Sequence, residues 1–359
     1  MRGAIRVRAA AACLFLAALA ASIAGCGSSG SLSTAPSSAA GTAAKATAPA
    51  TPAKPRNATL ILDFTPNAVH AGIYAALARH YDRDAGVDLH VIAPTATTDS
   101  IKLLETGKVN FAILDIHDLA IADQSAPIHP DLVGIMAIVE RPLAAVIAAP
   151  DIRSPKAFEG KTVGITGVPS DTAVLRSEVT GSGGDPAKVK TITIGYNAVA
   201  DLLAGRVAGA LGFWNDEGVT IQKERPGSHV FRVDDYGAPS YPELVLCATA
   251  ETLQRDPGLA RGVVHALIRG YEFTLSAPHQ AAQDLDEQAA GLDPKLVAAQ
   301  LAALLPAFKA PDGSVGELDK ASLETWAGWE ARFGIVSRPP DVDTIFDPEF
   351  AASAPGSGP

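Results

Sequence analysis

From residue 59 onward, short apolar runs of strand character alternate with helical patterns, and the alternation stops once and begins again. The first series predicts strands at 59–62, 88–92 and 109–114 with helices at 72–83, 99–105 and 117–123 between and after them, then strand-like runs at 132–139 and 143–148. A break at 150–155, Pro-Asp-Ile-Arg-Ser-Pro, precedes a second series. That series predicts strands at 161–166, 189–195, 208–213 and 230–233, and helices at 171–180, 198–204 and 215–225. Strands alternating with helices wind into mainly parallel sheets covered by helices, so the chain is predicted to be α/β. At 359 residues it also exceeds the roughly 250 at which one core stops growing. Two lobes follow: 58–149 with 242–350 as the first, 150–241 as the second, and 351–359 as a loose tail. Helical patterns at 258–276, 278–291, 294–305 and 318–333 are assigned to the first lobe. The chain would then cross between lobes near Pro150 and again between Tyr236 and Glu243. Two crossings make a hinge, and a hinge between α/β lobes predicts a clamshell.

The first 25 residues read as an export signal. Arg2, Arg6 and Arg8 precede an apolar run at 9–24 that is too short for a comfortable membrane span. It ends Ile23-Ala24-Gly25-Cys26, which resembles a bacterial lipobox, so Cys26 is the expected lipidation site. Residues 26–57 are Ser, Ala, Thr, Gly and Pro with few large apolar side chains, and predict a flexible tether. The expected location is therefore the extracytoplasmic face of the cell membrane, held by acyl chains and not by a spanning helix. Beyond Cys13 and Cys26 only Cys247 remains, inside the apolar run 244–248, where a buried structural role is expected and no intrachain disulfide is available. The net charge of −10, with no basic patch, argues against nucleic acid as a partner.

The polar residues of interest fall at the ends of predicted strands, where open α/β sheets bind ligands. Residues 63–74, Asp-Phe-Thr-Pro-Asn-Ala-Val-His-Ala-Gly-Ile-Tyr, occupy the first such turn. Asp63, Phe64, Asn67, His70 and Tyr74 offer there a carboxylate, a ring face, an amide, an imidazole and a phenol. Gly72 allows another surface to approach the first helical turn. Thr166, Ser170 and Asp171 surround a second turn, either capping its helix or holding a ligand; the turn lacks the spacing and lysine of a P-loop. Asn197 has the same two readings. Trp214, Asn215 and Glu217 supply a stacking face beside acids, and Glu217 can accept hydrogen bonds from an exocyclic amine and a protonated ring nitrogen. Asp115 and Asp118 flank His117, but consecutive residues do not share one helical face, so polar contact or capping is expected there and a metal is not. Tyr241 lies at the second crossing, where it is expected to line the cleft.

The run at 63–74 matches a D-[W/F]-x-P-N-x-x-H-x-G-[L/I]-Y signature, and on it the chain resembles the NMT1/THI5-like (SsuA/THI5-like) solute-binding proteins over roughly residues 60–346. The resemblance implies a type II, periplasmic-binding-protein-like clamshell acting as the lipoprotein component of an ABC importer. Its expected cargo is a thiamine pyrimidine precursor, and Asn67, His70, Trp214 and Glu217 are the positions carried over. A permease and an ATPase are the implied partners; the chain is expected to be a monomer without cofactor or catalytic residues. Related proteins bind flavins or alkanesulfonates. An enzyme branch makes the thiamine pyrimidine from its own histidine and pyridoxal phosphate, roles that would fall here to His70 and to Lys102 or Lys161. The lipobox and the lack of a Cys-rich motif depart from that branch. Phe64 stands where many pyrimidine binders have Trp, which puts the stacking partner in doubt.

Overall fold

The computed structural model describes residues 54–96, 98–125 and 132–352. The expected signal, Cys26, most of the tether and residues 353–359 lie outside the described residues. Ten strands are present among them: β1 Arg56–Ile61, β2 Val87–Ile92, β3 Phe111–Asp115, β4 Leu132–Ala137, β5 Ala144–Ala148, β6 Thr162–Ile165, β7 Lys190–Thr193, β8 Gly209–Phe213, β9 His229–Arg232 and β10 Leu244–Thr249. They form two five-stranded sheets, ordered β2-β1-β3-β10-β4 and β7-β6-β8-β5-β9. Arg56 and Asn57, expected to belong to the tether, are part of β1 and pair with Val87 and Asp88.

The two sheets have one plan. In each, the first strand pairs in parallel with the second and third, and a guest strand from the other half of the chain lies antiparallel between the third and fourth. The guests are β10 in the first sheet and β5 in the second. The expectation of mainly parallel sheets is corrected by this: both are mixed. A strand that arrives straight from the other lobe, without a crossover helix to carry it back, enters from the cleft end and must run against its neighbours.

The guests also correct the first lobe boundary. β5 was expected with the first lobe and a crossing near Pro150, but β5 pairs with β8 and β9, so the chain changes sheets across 138–143. The break at 150–155 is a loop inside the second lobe, leading to the short helix Pro155–Phe158. The chain passes back between β9 and β10. β4, β5 and β10 are buried along their whole length, as apolar strands covered on both faces must be.

Helix Ala71–Ala78 is held against helix Pro257–Ser276 by a glycine-to-glycine approach. A Cβ on Gly72 would lie 2.4 Å from the Tyr271 ring, and one on Gly270 would lie 2.0 Å from the Gly72 carbonyl oxygen. This fixes the segment that carries residues 63–70. Helix Lys320–Phe333, assigned to the first lobe from sequence, also reaches the second: the Trp329 indole N–H donates to Ser177 Oγ at 3.3 Å, on helix Asp171–Gly181. Trp326 and Trp329 share one apolar cluster with Ile61 and Leu114 of the first sheet and Val146 and Val163 of the second. Cys247 is buried in β10, and desolvation pushes its thiol up. No helix among the described residues is long and apolar enough to cross a membrane.

Candidate ligand-binding cleft

The C-terminal ends of β1 and β3 in one sheet and of β6, β7 and β8 in the other converge on a cavity of about 160 Å³. This is the position that the sheet topology favours for a ligand.

From the β1 end, Asp63, Phe64 and Asn67 line the cavity. Asn67 starts the following turn as a reciprocal cap. Its side chain accepts the Val69 N–H at 2.9 Å, and His70 Nδ1 accepts the Asn67 N–H at 3.1 Å. Because Nδ1 accepts, the imidazole proton sits on Nε2, which donates to Asp63 Oδ1 at 2.9 Å. His70 is therefore sealed behind Asp63 and fully buried, and it does not line the cavity as expected. Its proton orients the carboxylate that does. Tyr74 is likewise core, with burial pushing its phenol up.

From the β6 end, Thr166, Ser170 and Asp171 line the cavity; Ser170 stands at the N-cap of helix Asp171–Gly181 without a side-chain capping bond, and Asp171 bonds the preceding loop instead of capping the helix. Asp171 folds back to accept the Gly167 N–H at 2.6 Å, the Val168 N–H at 3.1 Å and the Thr166 hydroxyl at 3.0 Å. The left-handed turn at Gly167, φ 101°, makes that wrap possible. Burial nevertheless raises the Asp171 pKa, against the lowering effect of these bonds. The carboxylate thus takes up two amides of the loop that precedes helix Asp171–Gly181.

After β7, Asn197 points away and donates to the Ile194 carbonyl at 2.8 Å; it does not line the cavity. Its neighbour Tyr196 does, and its ring meets Phe64 edge to face at 4.7 Å between centroids. One ring comes from each lobe. After β8, Glu217 lines the cavity and accepts the Phe213 N–H at 2.9 Å, while burial and the adjacent Asp216 raise its pKa to about 7. Trp214, expected to stack on a ligand, instead lies in the core. Its N–H donates to the Pro142 carbonyl at 2.8 Å and Arg232 covers its ring at 4.0 Å. Asn215 is also buried outside the cavity, its amide without a partner among the described residues.

The β3 end brings Asp115, His117 and Asp118 to the cavity wall. Asp115 caps helix Ile116–Gln124 by accepting the His117 N–H at 2.8 Å. Asp118 is pushed up to about 7, first by burial and then by Asp115. His117 is buried between carboxylates. Desolvation alone would lower its pKa, but Glu330, Asp115 and Glu243 raise it to about 10. Tyr241 does not line the cavity: it is buried, with its hydroxyl 3.3 Å from His117 Nε2. The crossing contributes Glu243 instead.

Among the described residues, the lining carries the carboxylates of Asp63, Asp115, Asp118, Asp171, Asp216, Glu217 and Glu243, the imidazole of His117, and no lysine or arginine. Sequence reasoning passed over Tyr196, Asp216, His117 and Glu243 as lining residues. Each lies within two residues of one that was singled out, so the loops were legible and the side-chain directions were not.

A model of the family described as NMT1/THI5 like matches residues 67–281. The chain belongs to that family. It is 30% identical over 278 residues to the formylaminopyrimidine-binding protein of Halalkalibacterium halodurans, spanning 75% of this chain and 83% of that protein. It is 25% identical over 234 residues to the 4-amino-5-hydroxymethyl-2-methylpyrimidine phosphate synthase of Legionella pneumophila, spanning 62% of this chain and 71% of that one. Among solved structures it resembles the periplasmic aliphatic sulphonate binding protein SsuA of Escherichia coli, with a TM-score of 0.66, 14% identity, and coverage of 82% of this chain and 93% of that one. At that identity the likeness is one of fold, and the fold is the two-lobed one of periplasmic binding proteins.

Proposed function

We propose that this protein is the solute-binding component of an ABC importer and captures an unphosphorylated aminopyrimidine of the thiamine-precursor type. The observation that carries the reading is the acid-rich lining of the cavity: seven carboxyl groups, several with pKa values raised by burial, against the single imidazole of His117 and no lysine or arginine among its described lining residues. Such a lining repels sulfonates and phosphates and suits a flat ligand rich in N–H donors, or one carrying a ring proton. Asp63 and Glu217 come from opposite lobes, so one ligand that hydrogen-bonds both would favour the closed clamshell. Phe64 and Tyr196 supply ring faces in place of Trp214.

The anchor belongs to the same reading. Cys26 carries the lipid, residues 26–57 give the binding unit reach, and a permease with its ATPase accepts the cargo at the extracytoplasmic face. The domain works as a monomer. Synthesis of the pyrimidine is the weaker reading, because its two requirements are placed badly. His70 is sealed behind Asp63, and neither Lys102 nor Lys161 lines the cavity; the Lys102 ammonium is spent on the Thr98 hydroxyl at 2.9 Å.

A thermal-shift comparison tests the assignment. A formylaminopyrimidine is expected to raise the melting temperature in proportion to RT ln(1 + [L]/Kd), and an aliphatic sulfonate to leave it unchanged. Stabilisation by the sulfonate alone would overturn the assignment.

A further inference from the structure

The wall of the cavity nearest the hinge holds an arrangement that ligand binding as described does not use. Glu243 is 1% exposed, and its two carboxylate oxygens are treated differently. Oε2 accepts the N–H groups of Leu143 at 2.6 Å and Ala144 at 3.1 Å, whereas Oε1 has no hydrogen-bond partner. A buried carboxylate oxygen left unpaired is costly. His117 Nε2 lies 3.9 Å from Oε1, too far for a hydrogen bond. Nδ1 of the same ring is engaged by the Glu330 carboxylate, which fixes the ring plane; Nε2, whose present partner is the Tyr241 hydroxyl at a long 3.3 Å, would exchange that contact for a bound ion. Asp115 closes the third side, its carboxylate steadied by the His117 N–H at 2.8 Å.

We propose that Asp115, His117 and Glu243 form a binding site for a divalent transition-metal ion of the zinc or manganese kind. One ligand atom from each lies within 4.8 Å of the others. Atoms bound at about 2.0–2.2 Å to a common cation sit about 3–4 Å apart, so the gap between Nε2 and Oε1 matches a shared ion. One imidazole and two carboxylates suit zinc or manganese better than magnesium or calcium, which take oxygen alone. The contact of Glu330 with Nδ1 is the carboxylate–histidine support that metal-bound imidazoles usually have. All three ligands also line the cavity, which leaves a coordination position open to water or to a bound solute. This site is independent of the organic ligand's identity.

The test is equilibrium dialysis of the full chain, stripped with chelator and then exposed to Zn²⁺ or Mn²⁺ in excess Mg²⁺, with bound metal counted by mass spectrometry. Wild type is expected to retain about one equivalent, and Glu243→Gln and Asp115→Asn to bind at least about tenfold more weakly. Asp115 is half-buried at the cavity wall, so Asp115→Asn keeps the test valid if the Glu243 variant does not fold. Circular dichroism checks both. Wild type retaining no metal would overturn the proposal, and so would folded variants that retain the wild-type equivalent at wild-type affinity.

Discussion

The two lobes share a strand order, yet the loops that follow their first strands use an aspartate in opposite ways. After β1, Asn67 and His70 cap the turn between them, and the His70 proton holds Asp63 so that the carboxylate still faces the cavity. After β6, Asp171 ties the turn itself, its carboxylate accepting from Gly167, Val168 and Thr166. The same fold position therefore yields a presented acid in one lobe and a structural acid in the other. What separates them is whether another residue satisfies the backbone donors of the turn.

That contrast sets an order of expected effects. Asp63→Asn is expected to weaken pyrimidine binding by about 1.5–3 kcal/mol, the range for a hydrogen bond to a charged group, while leaving the melting temperature nearly unchanged. Titration calorimetry with a parallel melt reads both, and a purely structural loss would erase the contrast. Asp171→Ala should do the reverse, costing about 1–2 kcal/mol in denaturant unfolding, as loss of hydrogen bonds to a carboxylate does, with affinity held within about threefold.

Glu217 sharpens the comparison through pH. Its pKa in the folded protein is raised to about 7 from the ordinary 4.5, so the folded state binds the extra proton and stability declines as pH rises across that interval. Glu217→Gln is expected to flatten this part of the stability profile and to stabilise the ligand-free protein above neutrality by about 1–2 kcal/mol. A wild-type profile already flat between those values would place the charge elsewhere. The smallest effect belongs to the rings. Tyr196→Ala should weaken binding by about 1 kcal/mol, whereas Trp214→Phe should leave affinity unchanged and lower only stability. Equal losses of affinity in both would return Trp214 to the cleft.

Much of this was legible in the chain. The helix at Asp99–Glu105 and the strand–turn–helix around Asp63 follow from local periodicity and capping chemistry, which neighbours in sequence determine. Gly72 announced a close approach, and Tyr271 supplies it. The failures are long-range. β5 looks like any buried apolar strand, and only its pairing with β8 and β9 assigns it to the second lobe. Trp214 is drawn inward by Pro142 and Arg232, and His117 by Glu330, partners whose positions no local pattern encodes. The helix from Lys320 to Phe333 was read correctly as a helix, but its contact with Ser177 depends on how the lobes meet.

The most direct test of the carboxylate cavity is calorimetric titration of one protein with an aminopyrimidine and with its phosphate monoester, side by side. An acid-lined cleft whose one cationic side chain among the described lining residues, His117, is engaged by Glu330 predicts that the phosphate ester binds at least about a hundredfold more weakly, a difference of about 2.7 kcal/mol. Equal or tighter binding of the ester would mean that His117, or a cation outside the described lining, compensates the phosphate, and would contradict the account.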